Sequence, residues 1–212
     1  MEVRELVRVN CSLCGSNRAT PERTINGHTL ERCRQCGLVS VNPRPCAEKT
    51  NQQYQERDAK GLIELYARIA TPGVRAGYRR RLGLLERHLP GKRRLLDFGC
   101  GAGYFTEEAA ACGWEAHGIE LGSWAKEAAE ARGVGNIHVG FLQDFDFPDH
   151  HFDVIHAAQV FEHLDSPLEV LAELRRILRP GGICYVDVPN YQTLSILLGR
   201  DQFDFNEPPP AH

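Results

Sequence analysis

Four cysteines stand in two copies of one short pattern, Cys11-Ser12-Leu13-Cys14-Gly15 and Cys33-Arg34-Gln35-Cys36-Gly37, with 18 residues between Cys14 and Cys33. A two-residue gap puts both sulfurs of a copy on one side of a tight turn. The glycine after the second cysteine tolerates positive φ and lets backbone N–H groups point at thiolate. Two such turns make a closed tetrahedral shell for zinc, with Zn–S distances near ~2.3 Å and no open position for a reactant. The expected metal site, Cys11, Cys14, Cys33 and Cys36, is therefore structural and not catalytic. Cys46, Cys100, Cys112 and Cys184 lack such partners and read as small packing residues.

A second cluster of chemistry-bearing residues is Asp97-Phe98-Gly99-Cys100-Gly101-Ala102-Gly103. The glycines let ligand atoms approach the backbone closely and leave N–H groups at the start of the following helix. Glu120 lies 21 residues after Gly99, at the end of the next strand, where an acid can accept hydrogen bonds from both ribose hydroxyls of an adenosine. Alone, a glycine loop followed by an acid suits NAD as well as S-adenosylmethionine. Three features lean away from NAD. The glycines are spaced G-x-G-x-G and not G-x-G-x-x-G. Asp97 lies inside the strand, near where a cationic sulfonium and amino group would sit. Tyr104 and Phe105 crowd the helix start.

Glu162-His163 is the candidate catalytic pair. It falls just past a strand, at the edge where open parallel sheets bind ligands, and His163 has a side-chain pKa suited to general-base work. The alternative for His163 is a local cap or a pocket wall. His156 falls within a strand and reads as a satisfied core histidine, and His150-His151 as solvated loop.

These residues need a scaffold, and the pattern from Arg94 onward supplies one. Strands are expected at 95–98, 115–119, 137–139, 152–158 and 183–188, with helices at 104–112, 123–132 and 166–178 between them. Strand and helix in alternation imply a parallel sheet covered on both faces. In the last helix Ser166 and Glu169 form a capping box around Pro167, with Leu168, Leu171, Leu174 and Leu178 as the buried stripe and Pro180-Gly181-Gly182 as the stop. Before the sheet, Leu62, Leu65, Tyr66 and Ile69, then Leu82, Leu85 and Leu89, mark two helices separated by Pro72-Gly73. Three zones follow: 1–45 as zinc ribbon, 46–92 as a helical linker or lid, and 93–212 as the ligand-binding α/β domain.

The 212 residues suffice for one medium domain and a small one. A net charge of -3 provides no global attraction to nucleic acid or anionic membrane. No apolar run is long enough to span a membrane, and the N-terminus lacks a signal-peptide core. A cytoplasmic, reducing location is expected, which favours metal over disulfides for the paired cysteines.

Four segments carry a family resemblance: LLDFGCGAG at 95–103, HGIE at 117–120, FDVIHAAQVFEHL at 152–164 and LRPGGICYVDVPN at 178–190. In order and spacing they resemble class I S-adenosylmethionine-dependent methyltransferases. With CSLCGS, CRQCGLVSVNPRP and the tyrosine-containing helix that follows, the chain is most similar to zinc-ribbon members grouped near the ubiquinone-biosynthesis O-methyltransferases. The resemblance implies a Rossmann-like, doubly wound, mostly parallel sheet. It implies that Asp97, Gly99, Gly101 and Gly103 surround the methionine arm, that Glu120 holds the ribose, and that Ala158 and Arg79 also meet the cofactor. Many relatives carry an aspartate just after the third strand that reads the adenine amino group. Phe141 stands there, leaving the task to backbone at Leu142, with Asp144 as substitute.

A small-molecule acceptor (a sugar, quinone or phenol-like metabolite) is expected, with O-methylation preferred. The alternatives are RNA, met through the ribbon and the basic cluster Arg75, Arg79, Arg80, Arg81, Arg87 and Lys92 to Arg94, and an inactive fragment or binding module. The family sheet has seven strands, whereas five are legible here. The expectation is a shortened enzyme lacking strands six and seven, its fifth strand open to homodimeric pairing.

Overall fold

The computed structural model describes residues 6–25, 27–55, 58–89, 91 and 94–190. Lys92, Arg93 and residues 191–212 lie outside them. The chain divides into two compact units: Met1–Gln52, Glu162–Glu169 and Val188–His212 in one, and Gln53–Phe161 and Val170–Asp187 in the other.

In the first unit, β1 (Leu6–Val7) pairs antiparallel with β5 (Arg44–Pro45), and β2 (Ala19–Ile25), β3 (His28–Cys33) and β4 (Val39–Val41) form an antiparallel sheet with β3 in the middle. The two cysteine turns have the same backbone solution. Gly15 N donates to Cys11 O at 2.8 Å and Gly37 N to Cys33 O at 3.0 Å, and both glycines have positive φ, 71° and 82°. A Cβ-bearing residue would be strained at either position. Glu31, buried on β3, is held by a bidentate Arg8 and by Asn42, which also exchanges hydrogen bonds with the Val9 backbone.

Helix α1 (Ala47–Gln55) leads toward the second unit, which contains α2 (Ala59–Ile69) and α3 (Pro72–His88). The break between these helices falls at Ala70-Thr71. Thr71 caps α3 through a bond from Val74 N, and Pro72 occupies its first turn, where a missing N–H costs nothing. The sheet comprises β6 (Arg94–Phe98), β7 (Glu115–Glu120), β8 (Ile137–Val139), β9 (Phe152–Ala158) and β10 (Leu178–Asp187), all parallel, in the order β10-β9-β6-β7-β8. α4 (Tyr104–Ala111), α5 (Trp124–Glu130) and α6 (Pro167–Ile177) are the crossovers. The chain winds outward from β6 through β7 and β8, then returns to the other side at β9. This is the doubly wound arrangement, with its switch point between β6 and β9. Leu82 and Leu85 of α3 join Leu95, Phe105, Ala109, Trp114, Ala116 and Val154 in one core cluster.

The C-terminal pattern differs from expectation in two ways. The α6 stripe buries Leu174 and Ile177, while Leu168 and Leu171 stay 47% and 39% exposed. Pro180-Gly181-Gly182 does not stop the helix, which ends at Ile177; it interrupts the β10 ladder, where pairing jumps from Leu178↔Phe152 to Ile183↔Val154. Among the described residues β10 pairs with β9 alone. Cys112 and Cys184 are exposed, contrary to their reading as packing residues.

Rings collect on one part of this sheet. His117 Nδ1 and His138 Nε2 lie 3.3 Å apart, with Phe145, Phe147 and Phe152 packed edge-on around them. His151, expected in solvated loop, packs its ring 4.8 Å from Phe152 and meets Arg94 at 3.3 Å. Burial holds the His117, His138 and His151 imidazoles below their ordinary range. Glu115 opposes this at His117, and Arg94 and Lys126 add to it at His151 and His138. The unfolded chain, titrating near ~6.5, therefore takes up these protons first, and stability present at neutral pH is lost as pH falls below that value. The thermal midpoint should drop between pH 7.5 and pH 5.5, and His117→Gln with His138→Gln should remove much of the drop. A pH-independent midpoint in the wild type would contradict this.

Candidate functional site

The loop from β6 to α4 lies at the carboxyl edge of the sheet. Gly99, Gly101 and Gly103 all have positive φ, 75°, 51° and 76°, and Gly103 caps α4 without a side chain. The space each glycine leaves is used. A Cβ at Gly99 would overlap Val160, which follows β9, and one at Gly101 would lie 2.6–2.8 Å from the Tyr66 ring and hydroxyl of α2. The loop N–H groups are also more committed than their sequence suggests. Gly99 and Cys100 both donate to Ile119 O, Gly103 to Cys100 O, and Gly101 to Glu120 Oε2 at 3.0 Å.

Glu120 ends β7 with its carboxylate half-buried and oriented by two backbone donors, Gly101 N on Oε2 and Leu121 N on Oε1 at 2.9 Å. Burial pushes this carboxyl above the ordinary range, while the N–H groups of Leu121 and Gly101 work the other way. A carboxylate has about four acceptor directions, so both oxygens keep capacity for a pair of hydroxyl donors. An adenosine ribose fits that need.

Asp97 faces inward. Its Oδ1 lies 2.7 Å from His156 Nδ1, and its Oδ2 accepts from Thr106 Oγ1 at 2.9 Å. Arg81 Nη1 stands 2.7 Å from His156 Nε2. Arginine only donates, so Nε2 is the acceptor and the proton sits on Nδ1, directed at Asp97. The imidazole is sandwiched between Phe105 at 3.7 Å and Tyr185 at 5.3 Å, with the Arg81 guanidinium over Tyr185. His156 is a fully engaged core histidine that fixes the end of β6.

The remaining sequence-selected residues fall as follows. Arg79 donates to Glu108 Oε2 at 2.9 Å, beside Arg75, which bridges Glu107 and Glu108. Leu142 is buried at the start of a single 3-10 turn, and exposed Asp144 accepts from Phe141 N at 2.7 Å. Ala158 ends β9, paired with Asp187. Glu162 and His163, in the other unit, form a half-buried pair whose Oε1 and Nε2 are 4.0 Å apart. Two positioning residues escaped sequence reasoning. Arg132, just past α5, binds the carbonyls of Ala102 and Ala128 and pairs with Glu107 at 2.8 Å, so it props the loop from behind. Tyr66 was visible only as one apolar helix position.

The four sulfurs of the first unit converge to within 4.8 Å of one another, with Cys11–Cys36 at 3.5 Å and Cys14–Cys33 at 3.6 Å. A tetrahedron with ~2.3 Å Zn–S bonds has edges near ~3.8 Å, so the cluster fits zinc closely. Backbone N–H groups of Cys36 and Gln35 bring the Cys33 thiol down to about 6, whereas, against the Ser16 backbone, burial and the neighbouring thiols push Cys14 up to about 12, so without a cation the four sulfurs hold their negative charge on Cys33.

Residues 54–207 match the family described as Methyltransferase domain, and the chain belongs to that family of S-adenosylmethionine-dependent methyltransferases. It is 32% identical over 123 residues to the ubiquinone biosynthesis O-methyltransferase of Burkholderia thailandensis, covering 52% of this chain and 50% of that one. The Nitrosospira multiformis enzyme of the same name is 30% identical over 125 residues, covering 55% and 52%. The chain thus spans about half the length of the curated relatives it matches. Two solved structures share the fold. A Methanococcus maripaludis protein assigned as an S-adenosyl-L-methionine-dependent methyltransferase has TM-score 0.52 at 17% identity, covering 63% of each chain. A Haemonchus contortus phosphoethanolamine N-methyltransferase has TM-score 0.51 at 22% identity, covering 70% of this chain and 37% of that one.

Proposed function

We propose that this chain binds S-adenosylmethionine at the carboxyl edge of its sheet and directs methyl transfer to a small-molecule acceptor, with O-methylation preferred. The observation carrying the cofactor reading is the Glu120 carboxylate, fixed by Gly101 N and Leu121 N with acceptor capacity left for a ribose. The O-methyltransferase relatives support the acceptor class. The proposed division of labour is a zinc ribbon over 1–45, a helical linker or lid region over 46–92 and the methyltransferase domain from 93.

Bound S-adenosylmethionine supplies a methyl group already activated on a sulfonium. The protein's share is to hold donor and nucleophile in line and keep water out. Asp97, Gly99, Gly101 and Gly103 with Ala158 shape the methionine side. Leu142 and Asp144 take the adenine side, and Arg79 is retained as a cofactor residue that must leave Glu108 to act. His163, oriented by Glu162, is the proposed base for an acceptor hydroxyl.

The RNA reading loses support on α3. Its arginines 75, 79 and 81 are engaged by Glu107, Glu108, His156 and Asp187 within the fold, which leaves few to meet phosphate. Incubation with methyl-labelled cofactor and either dihydroxyphenols or total RNA separates the readings. Label is expected in the phenol fraction, falling ~10²-fold in His163→Ala. Label in RNA alone would reverse the assignment.

A further inference from the structure

Helix α2 is attached to its unit in an unusual way. It is amphipathic, yet none of its residues is buried. Leu62, Ile63 and Tyr66 rest against a cluster of Ala102, Trp124, Ala125 and Ala128, while Leu65 and Ile69 stay 37% and 49% exposed. One narrow stripe therefore holds the helix, and that stripe sits on the glycine loop and the start of α5. A helix with few buried contacts belongs to the part of a fold that opens most readily.

Of these side chains, the Tyr66 ring is the one that faces the glycine loop. It fills the space in front of Gly101, the residue whose N–H orients Glu120. It also leans on Trp124, with ring centroids 5.3 Å apart at a 31° tilt, and the Trp124 indole in turn covers Gly122, two residues past Glu120. Tyr66 thus stands over the loop where the backbone must be reached by a ligand. The same residue explains why glycine is needed at 101: any Cβ would collide with the tyrosine.

We propose that Tyr66 gates the cofactor site, its ring leaving Gly101 to admit S-adenosylmethionine and closing again as a wall over the bound molecule. This rests on the cofactor reading above. The gate acts on both rates. With the ring in place the site is open for only a fraction of the time, and apparent association slows by that fraction. Once the ring has closed over the ligand, escape is slowed as well.

The test is stopped-flow tryptophan fluorescence on the full chain mixed with S-adenosylhomocysteine, together with hydrogen exchange of amides 59–69. Tyr66→Ala should associate about 10-fold faster and dissociate faster still, a site closed nine-tenths of the time giving that factor. Tyr66→Phe, which keeps the ring, should restore slow association. Ligand should protect the α2 amides in the wild type and not in Tyr66→Ala. A folded Tyr66→Ala with wild-type association, or α2 amides indifferent to ligand, would overturn the gate while leaving cofactor binding intact. Absence of binding in every variant would overturn the cofactor reading and the gate together.

Discussion

Cys33→Ser is expected to abolish binding of the proposed zinc and the order of the strands between residues 19 and 41, the largest single effect anticipated here. Cys33 ends β3 and is the most buried sulfur of the four. Its thiol is drawn down to about 6 by Cys36 and Gln35 N–H groups, and its carbonyl accepts from Gly37 N to close the second turn. The three-stranded sheet it anchors is small, and its partner strands β2 and β4 are seven and three residues long. So little apolar surface cannot hold a fold alone, and in zinc knuckles of this kind metal binding, with apparent free energies of roughly 10–16 kcal/mol, is the folding energy. Elemental analysis should find about one zinc per chain in the wild type and none in the variant, with loss of slow-exchanging amides over 19–41. Metal-free wild type with four freely titrating thiols and unchanged exchange would contradict this.

The second large effect belongs to His156. Removing the imidazole leaves Asp97 Oδ1 and the Arg81 guanidinium facing a gap, both on elements that pack the core. Truncating one member of a buried, hydrogen-bonded charge network costs about 3–5 kcal/mol, because each remaining charge loses one partner, Asp97 keeping only Thr106 and Arg81 only the longer contact with Asp187. His156→Ala should fall in that range by denaturant titration. His156→Phe separates the causes, since it keeps the stack between Phe105 and Tyr185 but not the two polar bonds. It should remain destabilised by well over half as much. Wild-type stability in His156→Phe would assign the whole effect to packing.

The legible part of this molecule was that governed by local pattern. Four of the five strands appear close to their expected residues, since runs such as Phe152–Ala158 are buried almost throughout and have one solution, whereas β10 begins five residues before the expected 183. The cysteine turns read equally well, because glycine after the second cysteine answers a backbone requirement. What local pattern missed depends on contacts distant in sequence. The Leu168 and Leu171 positions repeat with helical spacing, yet burial depends on what covers the helix, and only Leu174 and Ile177 are covered. Pro180-Gly181-Gly182 looks like a helix stop, but the pairing of β10 with β9 absorbs it as a ladder irregularity. In the candidate site, the glycines and Glu120 were visible as a motif. The partner of Gly101 was not, because Tyr66 reaches it across 35 residues from a helix whose apolar stripe looks like any other. The inward turn of Asp97 was equally hidden, since it depends on His156, 59 residues away.

Calorimetric titration of the purified chain with S-adenosylhomocysteine tests the central claim most directly. One molecule should bind per chain, and Glu120→Ala should weaken binding by roughly 2 kcal/mol, about 30-fold, because a charged acceptor for two buried hydroxyls is lost. Tight binding of NADH in place of S-adenosylhomocysteine, or an affinity that Glu120→Ala leaves unchanged, would contradict the account.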